Sequence, residues 1–483
     1  MPRTWLYIIA VSVLVLNPSS SFAQTWCPVM RVSPFVTDHY VIFGQGLTAD
    51  NYGRPWCGWC GETFNPHAWN LYVSHYSDTA WCHPDTIFPL LGFENCDLTT
   101  DASGNIWVVA EEEYVSACFY DGSSWSDLMA VPTQGTCCHF PIATGDSIGS
   151  LWVCWAGGGP GDGHHIWGNT YISGSWRSPV LVSYPYTAID EYTYSMTADT
   201  EGRVWVGWYG FSGFDEWIYA SFNDGNGWSD TMMIAEHTNY TRGPALTSDT
   251  SGNVWAGWIN RSTNGRNIYA SYYDGSVWSE PMLVSSEPPP PFPIPGDWPI
   301  AMVGDDAGMV WLTWVNADTN IYYSFWDGNN WSNPAPVDTH PAKEYNLKMT
   351  YDGERVWVSW IRRVGLEDTL TVYASYTYGL GVEEAAFHYL PSTQASIQNY
   401  PNPFSTNTVI SCHIPAECHI SLKIYDVYGN VVKTFINRGK QAGRYIASWG
   451  GQDEYGKDCP SGVYFVRLEA SNYGETRKIT KLK

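Results

Sequence analysis

The sequence predicts an all-β chain whose main body is a seven-bladed β-propeller closed by its own N-terminal strand. Three observations predict it. One unit recurs seven times, each copy has room for four short strands, and the strand missing from the last copy reappears at the other end of the chain. Aromatic residues make up 16% of the 483 and charged residues only 15%, which excludes a disordered chain, a coiled coil or a long helical bundle.

The unit is clearest at 245–286. Its first landmark is D-x-x-G-x-V-W-x-x-W, and its second is I-Y-A-S-x-x-D-G-x-x-W-S-x-P. The leading Trp of the first landmark recurs as Trp56, Trp107, Trp152, Trp205, Trp255, Trp311 and Trp357, at intervals of about 45 to 56 residues. The second Trp of the pair is Trp59, Trp155, Trp208, Trp258, Trp314 and Trp360, with Ala110 in the remaining copy. The second landmark ends on Trp81, Trp125, Trp176, Trp228, Trp278 and Trp331.

Each unit reads as a meander. An apolar stretch such as Pro244 to Thr247 is the first strand. The D-x-x-G turn follows, in which Asp caps its own turn and Gly supplies positive φ. Val254 to Ile259 and Ile268 to Tyr273 are the second and third strands, Asp274-Gly275 is a hairpin turn, and Trp278 to Ser285 is the fourth strand. The seventh unit lacks that fourth strand. Thr25 to Ser33 aligns residue for residue with Val277 to Ser285, so the N-terminal strand is expected to complete the seventh blade and remove its open edge. The tryptophans at opposite faces of one strand then read as packing between blades, not as ligand contacts.

The turns between third and fourth strands carry a resemblance. Ser221…Asp224-Gly225…Trp228, Ser271…Asp274-Gly275…Trp278 and Ser324…Asp327-Gly328…Trp331 resemble a degenerate Asp-box (BNR) repeat of sialidase-like propellers, with Asp one place late. In that family the box is a folding element at the blade rim, so the resemblance implies fold and not activity.

Met1 to Ala23 reads as a secretory signal peptide. Arg3 is the positive flank, Trp5 to Leu16 the short apolar run, and Ser21-Phe22-Ala23 the cleavage site, so the mature chain is expected to begin at Gln24 with no transmembrane segment. All 12 cysteines lie beyond that site and would enter a compartment where disulfides form. Cys82 with Cys96, and Cys412 with Cys418 across a tight hairpin, are the candidate pairs. Trp56-Cys57-Gly58-Trp59-Cys60 has redox-motif spacing but falls on a strand, so a disulfide to a neighbouring segment fits better.

Residues 24–380 hold the propeller and 381–395 a linker. From Ser396 to Lys483 the chain resembles the type A C-terminal sorting domain of the type IX secretion system. The resemblance rests on Asn399 to Phe404, Thr408 to Ile410, Leu422 to Gly429, Ala442 to Tyr445, Trp449, Gly456, Ser461 to Leu468 and the basic end Arg477 to Lys483. It implies an immunoglobulin-like β-sandwich, passage through the periplasm, recognition by the type IX machinery, and a secreted or surface-displayed product. A retained accessory sandwich is the alternative. Cys412, Cys418 and Cys459 depart from the family pattern. Cys412-His413 and Cys418-His419 do not make a convincing zinc site, and neither a metal nor a cofactor is expected.

Net charge is −24, unevenly spread. Residues 391–483 carry 11 Lys and Arg against 7 Asp and Glu, and the remainder 13 against 41. So acidic a body argues against nucleic acid or an anionic membrane as partner. Propeller ligands meet the second-to-third strand loops and the connections between blades. The candidates there are His67, Trp69, Glu111, Asp162, His164, His165, Asp215, Glu216, Arg261, Arg266 and Arg362 in the loops, and Tyr240, Arg242 and Trp298 in the connections. Aromatic faces beside carboxylates and arginines suit sugars and also protein hot spots. His164 and His165, after a glycine-rich stretch, read first as an exposed loop, and Pro288 to Pro295 as a stiff connector. A sialidase-like site would need three converging arginines, and the family's early F/Y-R-I-P motif is not present. The expected role is a surface binding module for glycans or extracellular proteins. A sialidase-like glycoside hydrolase and a structural surface-layer component are the alternatives.

Overall fold

A computed structural model describes residues 26–33, 40–64, 67–77, 80–87, 92–112, 114–134, 138–158, 164–183, 189–212, 215–237, 241–262, 265–287, 300–316, 319–340, 344–364, 369–378, 396–400, 404, 408–414, 418–440, 443–454, 457–470 and 473–482. The signal-peptide and linker expectations lie outside them, as do Asp162, Tyr240, Trp298 and the tract Pro288–Pro295.

Every described element is a strand. Up to Tyr378 the strands form seven sheets in chain order, and each sheet is an antiparallel meander. The fifth shows the pattern: Thr241–Ser248, Val254–Ser262, Gly265–Tyr273 and Met282–Glu287, in that order across the sheet. The third has a fifth short strand, Val180–Leu181, also paired to its third strand.

The seventh sheet contains Glu344–Tyr351, Arg355–Val364 and Thr369–Tyr378, and its outer strand is Met30–Arg31 from the N-terminal end. The register matches the expected alignment. Met30 pairs with Ala374 and Arg31 with Tyr373, as Met282 pairs with Ala270 and Leu283 with Tyr269. One detail differs. Trp278 stands before its strand in an isolated bridge to Tyr273, and the ladder resumes only at Met282. Pro281, which has no N–H to donate, lies in the gap.

The D-x-x-G turn does more than cap itself. Asp249 Oδ1 accepts the amides of Ser251 (2.8 Å) and Asn253 (3.0 Å). Its Oδ2 accepts Asn253 Nδ2 (2.8 Å) and the indole N–H of Trp255 (2.8 Å). All seven sheets repeat the Asp–Trp link: Asp50–Trp56, Asp101–Trp107, Asp146–Trp152, Asp199–Trp205, Asp249–Trp255, Asp305–Trp311 and Asp352–Trp357. A Trp wholly removed from water thereby keeps its one polar atom satisfied.

Sheets stack through these tryptophans. A leading Trp shares a core with the second Trp of the following sheet: Trp107 with Trp155, Trp205 with Trp258, Trp255 with Trp314, and Trp311 with Trp360. Trp357 of the seventh sheet shares one with Trp59 of the first. The last Trp of the following sheet meets the leading Trp edge-on, as in Trp205–Trp278 (6.1 Å, 90°), Trp255–Trp331 (5.9 Å, 86°) and Trp357–Trp81 (5.9 Å, 82°). Trp26 occupies that place in the seventh sheet, against Tyr323 of the sixth (5.3 Å). At the first strands neighbouring backbones nearly touch. A Cβ on Gly304 would lie 2.2 Å from the Ser248 carbonyl oxygen, so only glycine fits.

From Ser396 onward, Ser396–Tyr400, Thr408–Ile414 and Gly443–Trp449 form one sheet. Val431–Lys440, Cys418–Tyr425, Gly462–Ala470 and Tyr473–Lys481 form another, in that order. Both contribute to one core that includes Ile397, Phe404, Ile410, Leu422, Trp449, Val466 and Ile479. All the members of this core come from residues 397–479.

The structure shows neither of the two expected disulfides. Cys60, Cys82 and Cys96 are all present as thiols, and Cys82 and Cys96 face different partners: Cys82 Sγ lies 3.4 Å from His75 Nε2, and Cys96 Sγ contacts the Gly44 carbonyl at 3.8 Å. Cys412 and Cys418 are not placed across a hairpin from one another. They sit on separate sheets, Cys412 opposite Tyr445 and Cys418 opposite Lys440, because the chain crosses between layers there and makes no hairpin.

Candidate ligand-binding face

The sheets present their second-to-third strand hairpins and the starts of their first strands at one end. There the strands run longer than the repeat suggests. Val254–Ser262 and Gly265–Tyr273 leave two residues between them, and Arg261 pairs with Arg266 within the ladder. Residues expected in loops therefore occupy paired strand positions. Glu111 pairs with Val115, Glu216 with Phe211, and Arg362 with Thr371.

Four of the candidates have side chains built into the joints between sheets. Arg266 is fully buried. It donates to Glu287 Oε2 (2.7 Å) and to the Val315 carbonyl of the sixth sheet (2.7 Å), while Glu287 Oε1 accepts the Trp314 indole N–H (2.5 Å). Arg362 lies between two carboxylates, Glu344 (Nε to Oε1, 2.7 Å) and Asp338 of the sixth sheet, and over the Tyr373 ring at 4.6 Å. Glu111 is buried, with Oε1 2.5 Å from His139 Nδ1 of the third sheet; its Oε2 accepts Asn95 Nδ2 (3.0 Å) and the Phe140 amide (2.8 Å). Glu216 accepts the Thr241 amide of the fifth sheet.

The remaining candidates are less enclosed or not described. Arg242 is half-buried, donates to the Thr241 carbonyl (2.8 Å) and lies over the Tyr209 ring at 5.7 Å. His164 is half-buried and His165 buried, both on the strand His164–Ile172 and not on a flexible loop. His67, Trp69, Asp215 and Arg261 are on strands, but their side chains lie outside the described set.

Two charge features stand out. Burial pushes the Glu344 carboxyl up to about 8, against the pull of Arg362. Two carboxylates beside one guanidinium leave a surplus negative charge in a dry site, and a proton on Glu344 relieves it. On the first strands of their sheets, Lys348 of the seventh sheet reaches Asp97 of the second (2.9 Å), and Asp97 also accepts the Ala143 amide of the third (3.1 Å). The sequence offered no signal for this pair, whose members are 251 positions apart. Among the described residues, no group of three or more His, Cys, Asp or Glu is placed to hold a metal ion.

The C-terminal module brings distant motif residues together. Phe404 packs on Trp449 (5.4 Å), which meets Tyr464 edge-on (4.9 Å). Lys481 donates to the carbonyls of Gly451 (3.1 Å) and Cys459 (2.9 Å). Residues 398–481 match the family of secretion system C-terminal sorting domains. The chain carries a type IX sorting domain. The protein is accordingly exported, to the outer cell surface or into the medium.

A comparison with curated proteins finds no match. Among solved structures, the chain is similar to a protein of unknown function from Dyadobacter fermentans, at 10% identity over 74% of this chain and 98% of that one, with a TM-score of 0.46. It is also similar to PorZ of Porphyromonas gingivalis, described as an essential surface component of the type IX secretion system. That identity is 17%, over 90% of this chain and 59% of PorZ, with a TM-score of 0.41. The six-bladed β-propeller lectin of Aleuria aurantia matches at 16% identity over 65% of this chain and 99% of the lectin, with a TM-score of 0.39. At these identities and scores, the likenesses bear on neither ligand nor activity.

Proposed function

We propose that the seven sheets close into a seven-bladed β-propeller displayed at the cell surface as a binding module for glycans or extracellular proteins, with the sorting domain as its export signal. The ring reading is supported by the joint between the seventh and first sheets. Trp357, Trp59 and Trp81 meet there in the same roles as Trp205, Trp258 and Trp278 between the fourth and fifth.

One observation carries binding over hydrolysis. A sialidase-like site needs arginines free to converge on a substrate carboxylate, yet Arg54, Arg203, Arg266, Arg355 and Arg362 each already pair with a carboxylate of this chain. Moving one of them to a ligand would strand a buried Asp or Glu, at a cost of about 3–5 kcal/mol for a buried pair.

The test is a glycan array probed with the purified full chain, run beside fluorogenic sialosides and other glycosides. Saturable binding without turnover is expected. Turnover that disappears on mutating Arg242 or another loop-end arginine would overturn the reading in favour of the hydrolase. Silence in both assays would sink glycan binding and leave protein partners.

A further inference from the structure

The joint between the first and second sheets is built differently from the others. Ala110 stands where each other sheet has its second Trp. Close packing forbids leaving so large a side chain's volume empty. Phe93 and three cysteines, Cys60, Cys96 and Cys118, line this core with Trp56 and Ala110. Cys96 is the direct cross-strand partner of Ala110, so the truncated side chain opens space beside it. Cys60 lies on the second strand of the first sheet, on the same face as Trp56, and points into the same core. Cys96 Sγ reaches the Gly44 carbonyl of the first sheet, so its thiol faces the sheet that carries Cys60, and both belong to one buried core.

We propose that Cys60 and Cys96 are joined in the exported protein by a disulfide that bolts the second sheet to the first. It takes the place of the missing Trp. The oxidant is a protein-disulfide donor of the compartment the chain crosses. One cysteine thiolate attacks the donor's disulfide and releases a donor thiolate. The other then attacks the mixed disulfide and expels the donor's second sulfur as a thiolate. The two cysteines give up two electrons and two protons in all, and the donor leaves as a dithiol. Burial raises the Cys60 thiol well above its ordinary value, so exchange belongs to the stage before the two sheets close. Once closed, the bond is out of reach of dissolved reductant, because Cys60 is fully buried and Cys96 nearly so.

The experiment uses the full chain refolded in a glutathione redox couple, then denatured without reductant, alkylated and digested. The expected result is a cross-linked peptide pair containing Cys60 and Cys96, lighter by two hydrogens than the reduced pair, with neither residue alkylated. Dithiothreitol applied to the folded chain should leave the pair intact, and applied after denaturation it should split it. Alkylation of both residues, or a link from either one to Cys82, Cys118 or any other cysteine, overturns the proposal. The Cys60→Ser chain gives an independent reading: it should free Cys96 for alkylation, and an unlabelled Cys96 in that variant also overturns it. Mapping the wild-type chain is decisive even if the variant does not fold.

Discussion

Asp249 serves four donors with two oxygens, and one of them is the indole of a Trp fully enclosed between sheets. Removing it leaves the buried Trp255 indole N–H unmet, at about 1–3 kcal/mol, and uncaps the turn that Ser251 and Asn253 form. Asp249→Ala should therefore lower the urea unfolding midpoint by the equivalent of roughly 3 kcal/mol. Asp274→Ala is the control. Asp274 caps an exposed turn through Ser276 and Val277 and touches no Trp ring nitrogen, so its loss should leave the midpoint near wild type. The repeat made the Asp legible as a turn former, but not as the anchor of a Trp, because that bond needs the two side chains to fold towards one another across the turn.

Glu344 has a pH consequence. Its carboxyl is raised to about 8 in the folded protein by burial, above its ordinary value of 4.5. The folded state therefore holds a proton more tightly than the unfolded chain. The stabilisation is complete below the unfolded value and is lost as pH climbs through the folded one. Stability of the wild type should fall between about pH 5 and 9, and Glu344→Gln should flatten that fall. Urea titrations at several pH values check it; equal slopes for the two proteins would contradict it.

At the scale of elements, the N-terminal strand is where local sequence and long-range structure agree most closely. Its alignment with Val277 to Ser285 could be read from pattern alone, and the pairing of Met30 with Ala374 reproduces that of Met282 with Ala270. The strand inserts Trp26, Val29 and Val32 into cores of the sixth, seventh and first sheets. Each such side chain contributes about 1.5–3 kcal/mol when fully buried. A chain lacking residues 24–33 should melt at a lower temperature and aggregate through the bared strand Thr369–Tyr378. A synthetic peptide of residues 25–33 should restore part of the loss, whereas no rescue would mean that the edge is dispensable. The loop candidates were legible only as to which end of the sheets they occupy. Repeat spacing counts residues between landmarks, but it does not say how far a hairpin keeps its ladder. That ladder drew Glu111, Glu216, Arg266 and Arg362 out of loops and into pairing.

For the whole molecule, the sorting domain has a hydrophobic core of its own between residues 397 and 479, and Trp449 fills its centre. Removing residues 396–483 should leave the seven sheets folded and abolish delivery to the surface. Cell fractionation with protease shaving checks this: the truncated chain should accumulate inside the outer membrane and resist the protease. Arrival of the truncated chain at the surface would mean that the domain is not what directs export. Thermal unfolding of the truncated chain should keep the main transition, because no residue of the sorting domain belongs to the Trp-lined cores.

What the sequence by itself determined was everything that repeats or is local: the all-β class, the seven units, the aspartate turns, the strand borrowed from the N-terminal end, and the sorting domain with its chain of short motifs. Periodicity is visible in one dimension because each sheet is built on the same aspartate turn holding the same leading tryptophan. Only the tertiary structure decided what charge and sulfur do. Arg362 meets Asp338 and Cys60 shares a core with Cys96 because neighbouring sheets press together, and Lys348 of the seventh sheet reaches Asp97 of the second. Such pairings depend on distance in space, and the spacing of letters along the chain carries no trace of them.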